Sequence, residues 1–257
     1  MVVARIVAYA LCLLVVDAAY AAERGISSLG RIEPHNGVIR LAGPSELAVV
    51  SELLVEEGDH VDRKQVLARL DTHSIKAAEV QRVQVALDHA RRVLSRQTAL
   101  KQSSFQSEAA LDEARRDVEV LEAELIAARA QLDRAVIQAP VDGEVLAVHA
   151  RAGERIGVDG LLELGDTRRM YVVAEVYETD INKVEEGQSA TATSPAFAGP
   201  VTGKVERIGK LIAKNDVLDL DPVARMDSRV VEVFILLDDP AVVADLTNLQ
   251  VDVVFGD

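Results

Sequence analysis

The period of the apolar positions changes twice along the chain and divides it into β, helical and β segments. From residue 26 to residue 71, short apolar runs alternate with turn signals, a pattern that predicts short strands. Between residues 72 and 135 the apolar positions recur every three or four residues, which is the period of a helix. From residue 136 onwards the short apolar runs return, so the sequence predicts a second β segment.

The helical segment has two parts, each with one narrow apolar seam at heptad spacing. The first seam contains Val80, Val83, Leu87, Ala90 and Leu94. The second contains Leu111, Ala114, Val118, Leu121, Leu125, Ala128 and Leu132. The polar stretch Thr98–Ser107 separates the two seams and is predicted to be the turn. Residues 72–135 are therefore predicted to form an antiparallel coiled-coil hairpin, with helices of about 26 residues and about 39 Å.

One short motif occurs on both sides of this hairpin with the same internal spacing. Gly58, Val61, Leu67 and Asp71 recur 95 positions later as Gly153, Ile156, Leu162 and Asp166. Such a repeat indicates two halves of one folding unit, each burying an apolar face that the other needs. The turn residues assigned to the halves are Gly58, Asp59, Asp142, Gly143 and Gly153.

The region after Asp166 contains further strand candidates separated by Gly and Pro. These candidates are 170–178, 190–193, 201–208, 230–237 and 249–255. Five or six strands at this spacing predict a small closed β-barrel. Residues 209–228 show no clear period and are expected to form a long loop.

Composition and the first residues restrict the class of protein. Aromatic residues make up 3% of the chain and its net charge is −14, which argues against binding to nucleic acid. A basic residue, Arg5, precedes the apolar run 6–16 and the small residues around Ala19. Residues 1–22 are therefore expected to be a signal peptide or an N-terminal anchor. They contain Cys12, the only cysteine, so the rest offers no disulfide or thiol nucleophile.

The sequence lacks the motifs of common catalytic, metal and cofactor sites. The five His residues show no metal-ligand spacing, and no nucleophile elbow or phosphate-binding glycine loop occurs. A lipoyl or biotinyl carrier would need a Lys on a tight turn between its halves, where this chain has its helices. Neither Lys64 nor Lys76 lies on such a two-residue turn. We therefore expect neither an enzyme nor a cofactor or metal site.

Two lipoyl-type half-motifs, interrupted by an α-hairpin and followed by a β-barrel, resemble the HlyD-type periplasmic adaptor, or membrane fusion, proteins. The resemblance lies in the segments 58–71 and 137–145 and covers roughly residues 29–257. Segments 30–34 and 227–233 are similar to the DevB-like branch, which works with ABC exporters. The resemblance implies a periplasmic subunit, six per assembly in the family's manner, that joins an inner-membrane transporter to a TolC-like outer-membrane channel.

The resemblance also implies a channel-binding site at the end of the hairpin. Adaptors that meet a TolC-like channel carry Arg, Leu and Ser there, spaced Arg-x3-Leu-x6-Ser, and Arg96, Leu100 and Ser107 match this spacing. A Leu on an exposed end is a small apolar anchor, while Arg and Ser can hydrogen-bond a partner helix. On the structural alternative, Arg96 is a solvated helix residue, Leu100 closes the seam and Ser107 caps the second helix.

The expected domains follow from these observations. They are the N-terminal segment 1–22, N-terminal strands and first lipoyl half 23–71, hairpin 72–135, second lipoyl half 136–166 and β-barrel 167–257. The chain is expected to depart from the family in two respects, namely a hairpin shorter than is general in DevB-like relatives and a membrane-proximal domain that is minimal or absent. Two other functions remain open, namely a coiled-coil scaffold without a transport role and a lipoyl or biotinyl carrier subunit.

Overall fold

The computed structural model describes residues 25–45, 48–102, 108–214 and 229–256. Two compact units make up the chain, one formed by residues 38–166 and the other by the residues before 38 and after 166. The predicted fold class, a mainly β chain with a helical hairpin and a small β-barrel, is confirmed. The predicted N-terminal segment, residues 1–22, lies outside the described residues.

The regular elements follow one another in the order β, helical and β. The strands are β1 (Ser27–Pro34), β2 (Ile39–Leu41), β3 (Val50–Leu53), β4 (His60–Val61), β5 (Val66–Leu70), β6 (Val136–Gln138), β7 (Gly143–Val148), β8 (Leu162–Gly165), β9 (Met170–Tyr177), β10 (Ser189–Thr193), β11 (Val201–Lys214), β12 (Arg229–Leu237) and β13 (Gln250–Phe255). The helices are α1 (His73–Gln102) and α2 (Glu108–Asp133). None of the helices in the described part of the chain is long and apolar enough to cross a membrane.

The repeated motif forms two equivalent sheets in the unit of residues 38–166. One sheet has the order β2-β8-β7-β4 and the other the order β3-β5-β6. An isolated bridge pairs Val49, next to β3, with Arg155. Arg155 corresponds in the repeat to His60 of β4, so both sheets have this edge. Each sheet thus takes an edge from the opposite half of the repeat. Apolar side chains from both halves, including Val50, Leu67, Val145 and Leu162, form one buried core.

Hydrogen bonds between the halves obey the same offset as the sequence repeat. The amide of Gly58 donates to the carbonyl of Val145 at 2.8 Å, and the amide of Gly153 donates to the carbonyl of Val50 at 2.7 Å. Both glycines have a φ of +88°, a backbone conformation that favours glycine. The two halves are therefore related by an internal two-fold arrangement, and neither completes its turn without the other.

The helical hairpin leaves this unit between β5 and β6. Antiparallel pairing joins these two strands, with Arg69 opposite Val136, and the amide of Leu70 donates to the carbonyl of Ala135 at 3.0 Å. Both ends of the hairpin are thereby fixed at one place. The predicted seams meet in a single buried cluster of Val83, Leu87, Ala90, Val118, Leu125 and Ala128.

Helix α1 extends further than the polar stretch 98–107 predicted. It continues through Thr98 to Gln102, so the turn was placed too early. The hydroxyl of Thr98 donates to the carbonyl of Leu94 at 2.8 Å, which satisfies the polar side chain within the helix. The stretch 98–102 contains no Gly or Pro, and its Ala, Leu, Lys and Gln have high helix propensity. A loss of seam periodicity therefore did not end the helix, whose 30 residues span about 45 Å.

The second unit is a closed barrel with the strand order β1-β13-β10-β11-β12-β9. It closes because β1 pairs with both β13 and β9. Alternate residues point inward, as in β13, where Val251, Val253 and Phe255 are buried and the residues between them are exposed. Closure leaves neither β9 nor β13 with an unpaired edge.

Two barrel strands differ from the sequence expectation. Strand β1 was grouped with the first lipoyl half at 23–71, but its alternating residues Gly30, Ile32 and Pro34 are buried in the barrel. Strand β11 continues to Lys214, whereas a loop was expected from residue 209. Its pairing with β12 shifts register twice. These irregularities interrupt the alternation of apolar and polar residues in the sequence, but the strand continues through them.

Gly143 provides a test of the close approach between strands β7 and β8. A Cβ on this residue would lie 2.7 Å from the carbonyl oxygen of Gly165. We expect Gly143→Ala to lower the free energy of unfolding by about 1–3 kcal/mol, because the backbone must move to accommodate the methyl group. Circular dichroism in a urea titration measures this change, since the chain contains no Trp.

Gly157→Ala is the matched control, because a Cβ there meets no atom within 4 Å. We expect it to change the free energy of unfolding by no more than about 0.5 kcal/mol. Equal destabilisation by both substitutions would contradict the close approach at Gly143.

Candidate functional site

The end of the hairpin carries two of the three residues predicted to bind a channel. Arg96 and Leu100 lie four residues apart on the last turns of α1, so they occupy the same side of that helix. Arg96 is exposed and the Leu100 side chain is 41% exposed. Ser107 lies outside the described residues. The interpretation of Leu100 as a residue that closes the seam does not fit its exposure.

Arg96 has its donors available for a partner. Within the described residues it forms no ion pair and no side-chain hydrogen bond, whereas Arg91, one and a half turns earlier, binds Glu122 of α2 at 2.8 Å. An apolar side chain beside a free guanidinium is a combination that can dock on the end of another helix, where the carbonyl groups accept hydrogen bonds. We call Arg96 and Leu100 the end pair.

The turn residues of the two halves hold the base of the hairpin. The carboxylate of Asp59 accepts a hydrogen bond from the amide of Glu56 at 2.8 Å, and Glu154 does the same for Arg151 in the second half. Asp142 accepts from the amide of Arg63 at 2.7 Å and so joins the halves directly. These side chains are engaged by backbone amides at the surface, so their arrangement supports the module and forms no ligand pocket.

An ion-pair cluster on the barrel escaped the sequence analysis. The Arg31 guanidinium donates to Glu33, to Glu175 at 3.0 Å and to Glu232 at 2.8 Å. Only 3% of the Glu175 side chain is exposed. The cluster joins the two segments, 30–34 and 227–233, that resemble the DevB-like branch. The spacing Arg31-x-Glu33 was visible in the sequence, but the two distant glutamates were not.

The environment of Arg31 keeps it charged. Burial by itself would lower the pKa of its guanidinium, but hydrogen bonds from the group to Glu33 and Glu232, with their negative charges, raise that pKa above its ordinary value. One cation therefore binds three carboxylates. Its side chain connects β1 to β9, with which β1 also pairs through the backbone, and to β12, with which β1 has no backbone pairing.

A second cluster lies around Tyr171 of β9. Its hydroxyl donates to Glu206, and its ring stands edge-on to Phe234 with centroids 6.1 Å apart. The Arg207 guanidinium covers the Phe234 ring at 3.5 Å, a cation–π contact. Burial, followed by the hydrogen bond to Glu206 and the charge of that residue, raises the pKa of the Tyr171 phenol to about 12. The cluster joins β9, β11 and β12.

The charged and polar groups of both clusters bind one another. Within the residues that the structure describes, no three His, Cys, Asp or Glu side chains are grouped to hold a metal ion. The three Glu carboxylates of the first cluster all bind the Arg31 guanidinium, and the Tyr171 phenol, whose pKa is raised to about 12, stays protonated near neutral pH.

No known family profile matches the chain. The chain is 29% identical over 220 residues to the pyoverdine export membrane fusion protein PvdR of Pseudomonas aeruginosa, covering 72% of this chain and 55% of that protein. It is 31% identical over 175 residues to the macrolide export protein MacA of Yersinia pestis, covering 56% of this chain and 47% of that protein. The chain thus spans about half the length of these curated relatives.

The fold is that of a solved MacA–MexA chimera, which contains the α-hairpin domain of MexA from Pseudomonas aeruginosa. The TM-score is 0.73, the sequence identity is 20%, and the match covers 91% of this chain and 82% of the chimera. At this identity the similarity concerns the fold alone.

Removal of Arg31 tests the barrel cluster. We expect Arg31→Ala to lower the free energy of unfolding by about 3 kcal/mol, because the nearly buried Glu175 carboxylate loses its guanidinium partner. Urea unfolding measures this. The control is Arg40→Ala, which removes the ion pair between the 70% exposed Arg40 side chain and Glu163. We expect it to lower the free energy of unfolding by no more than about 1 kcal/mol. If the two variants lose the same stability, the cluster does not hold the barrel together.

The phenol of Tyr171 provides a pH test. Because its pKa is raised in the folded protein, the protonated form stabilises the fold fully below the unfolded value of about 10, and this contribution is lost as pH rises to about 12. We expect the tyrosinate absorbance to show a component with a midpoint near 12 that Tyr171→Phe removes. A titration in which every Tyr ionises near pH 10 would contradict the buried contact with Glu206.

Proposed function

We propose, from the similarity of this chain to a membrane fusion protein and a macrolide export protein and from its fold, that it is the adaptor subunit of a tripartite efflux or secretion system. In this role it links an inner-membrane transporter to a TolC-like outer-membrane channel from the periplasm, and it performs no catalysis. The observation that carries the proposal is the hairpin, which is fixed at its base by a split β module and presents the end pair at its other extremity.

The mechanism that this architecture supports is geometric. The narrow seam buries one side of each helix, so the hairpin is a spacer of about 45 Å with most of its surface free. Copies of the chain are proposed to assemble into a ring, six by analogy with the family, in which the hairpins form a tube towards the channel. The transporter supplies the energy, and the adaptor seals the path and couples its two ends.

The end pair is proposed to make the contact with the channel. Leu100, 41% exposed, supplies apolar contact area, and the free Arg96 guanidinium can donate to the carbonyl groups at a helix end of the channel. Ser107, the third residue of the Arg-x3-Leu-x6-Ser spacing, is proposed to add a hydroxyl to the same site. Aliphatic anchors surrounded by polar groups are typical of small interaction sites.

The transporter is proposed to be of the ABC type. The support is the likeness of segments 30–34 and 227–233 to the DevB-like branch, together with the finding that Arg31 of the first segment binds Glu232 of the second. The two segments that are similar to this branch are therefore in contact in the folded protein, although they lie far apart in the sequence.

The proposal is tested by a photo-cross-linking side chain placed at position 100 in intact cells. We expect an adduct with an outer-membrane channel protein, because Leu100 is exposed at the end of the hairpin. We expect Arg96→Asp to reduce the adduct at least ten-fold, since the substitution replaces the donors by a repelling carboxylate. The adduct is identified by mass spectrometry.

The matched control places the same cross-linker at Ile75, which is 69% exposed near the base of α1. No channel adduct is expected there. Adducts from position 100 only to other copies of the chain, or to nothing at all, would contradict the adaptor function and favour a scaffold that uses the hairpin for self-association.

A further inference from the structure

The outer face of the barrel has a groove along the first half of β1. Its volume is about 240 Å³, and its lining comes from β1, β9 and β13. Successive side chains of a strand point to opposite faces. Because Gly30 and Ile32 of β1 are buried in the barrel, Ser27 and Leu29 point outward and form the floor of the groove. We call this cavity the β1 groove.

The strand register places a carboxylate on each side of Leu29. Leu29 pairs with Asp252 of β13 on one side and with Glu175 of β9 on the other. Neighbouring strands lie about 4.8 Å apart, so the Cα atoms of Asp252 and Glu175 are about 10 Å apart with Leu29 between them. Both acidic side chains point outward with Leu29, and both line the groove.

The next level of the groove has apolar walls. Two residues before Leu29, Ser27 pairs with Val254 of β13, and the register of β1 with β9 continues to Tyr177 on the other side. Val254 is 49% exposed and Tyr177 is 41% exposed. The β1 groove therefore has an acidic level beside an apolar one, with the small Ser27 side chain leaving space between the apolar walls.

Negative charge exceeds positive charge on this face of the barrel. The outward positions of the described strands β13, β1, β9 and β12 carry four carboxylates and one guanidinium, namely Asp252, Glu33, Glu175, Glu232 and Arg31. Arg31 binds the three glutamates. Within the described residues the Asp252 side chain forms no ion pair and no hydrogen bond. Because like charges on neighbouring strands repel, a further cation beside Asp252 would stabilise this face.

The lining of the β1 groove favours an organic cation. A metal ion needs several grouped ligands, and no such group of three occurs in the described part of the chain. The exposed Val254 and Tyr177 side chains instead offer apolar contact next to the carboxylates, and a tyrosine ring also attracts cations. The volume of about 240 Å³ lies below the roughly 300 Å³ at which pockets for drug-sized ligands begin, so it suits a small ligand.

We propose that the β1 groove binds a small primary alkylamine in its protonated form. The ammonium group donates hydrogen bonds to the free carboxylate of Asp252, and Glu175 adds attraction through its charge. The alkyl chain lies over Ser27 and packs between Val254 and Tyr177. This site belongs to the barrel, and the proposal does not rest on the adaptor function.

Saturation-transfer difference NMR on the purified full chain tests the site with hexylammonium as the probe. We expect a dissociation constant on the order of 1 mM, because the ligand is small and the groove is open. Hexanol and hexanoate have the same alkyl chain without the positive charge. We expect both to bind at least ten-fold more weakly, since only the ammonium group pairs with the carboxylates.

Two aspartate variants locate the binding. We expect Asp252→Asn to weaken hexylammonium binding about ten-fold, because it removes the free carboxylate of the groove. The matched control is Asp245→Asn, which removes an exposed carboxylate of the same unit outside the groove. We expect the control to bind the probe within two-fold of the unchanged chain.

Two substitutions of Leu29 test the position of the ammonium group. Leu29→Lys places a tethered ammonium between Asp252 and Glu175, so we expect it to abolish binding of hexylammonium. Leu29→Met keeps the size and polarity of the side chain, and we expect it to retain binding within two-fold. Circular dichroism checks that both variants are folded, and the aspartate pair decides the question if Leu29→Lys is not.

Three results would overturn the proposal. One is no saturation transfer to hexylammonium, and another is hexanol binding as tightly as hexylammonium. The third is equal weakening by Asp252→Asn and Asp245→Asn, which would show attraction by the net charge of −14 in place of a defined site. Neither a channel nor a transporter is present in these experiments, so their outcome is separate from that of the cross-linking at position 100.

Discussion

The structure depends on the reciprocal pairing between the two halves of the β module. The amides of Gly58 and Gly153 each donate to a carbonyl of the opposite half, and each sheet borrows an edge from the other half. The halves lie on either side of the hairpin in the sequence, so their union brings residues 70 and 135 together. A long helical insertion is thereby held at both ends, and this base fixes the direction in which the hairpin leaves the β module.

The hairpin combines a narrow seam with outer surfaces that have no partner in the single copy. A globular helix pair would bury a broader stripe and end against other elements. Here burial is confined to the seam, while Leu100, Val85 and Ile126 remain exposed. The exposed large apolar residues of the described hairpin lie near its base at Ile75, along its length at Val85, Val120 and Ile126, and at its end at Leu100. The exposed Leu100 at the far end is what the proposed contact with a channel requires.

The sequence predicted the features that rest on local period and on repetition. The offset of 95 positions identified both halves, and the heptads identified both seams, because each depends on neighbouring residues. Element ends were predicted less well. Thr98 was taken as the start of a turn, but its hydroxyl bonds within the helix, and the bulges of β11 hid a strand that continues to Lys214.

Contacts between distant residues could not be predicted from one sequence. The Glu175 and Glu232 partners of Arg31 lie 144 and 201 residues away. The place of β1 in the barrel likewise depends on pairing with β9 and β13 at the other end of the chain. Of the candidate site, Arg96 and Leu100 came from the spacing of a resemblance, whereas their exposure could be seen only in the packed helices.

Native-state hydrogen exchange tests the reciprocal pairing most directly. The amide protons of Gly58 and Gly153 each bond to the opposite half, at 2.8 and 2.7 Å, so opening one half must release both. The account predicts that the two amides exchange with the same free energy of opening and respond equally to denaturant. If Gly58 exchanged through a small local opening while Gly153 stayed protected, or the reverse, the halves would be independent and the common base of the hairpin would be contradicted.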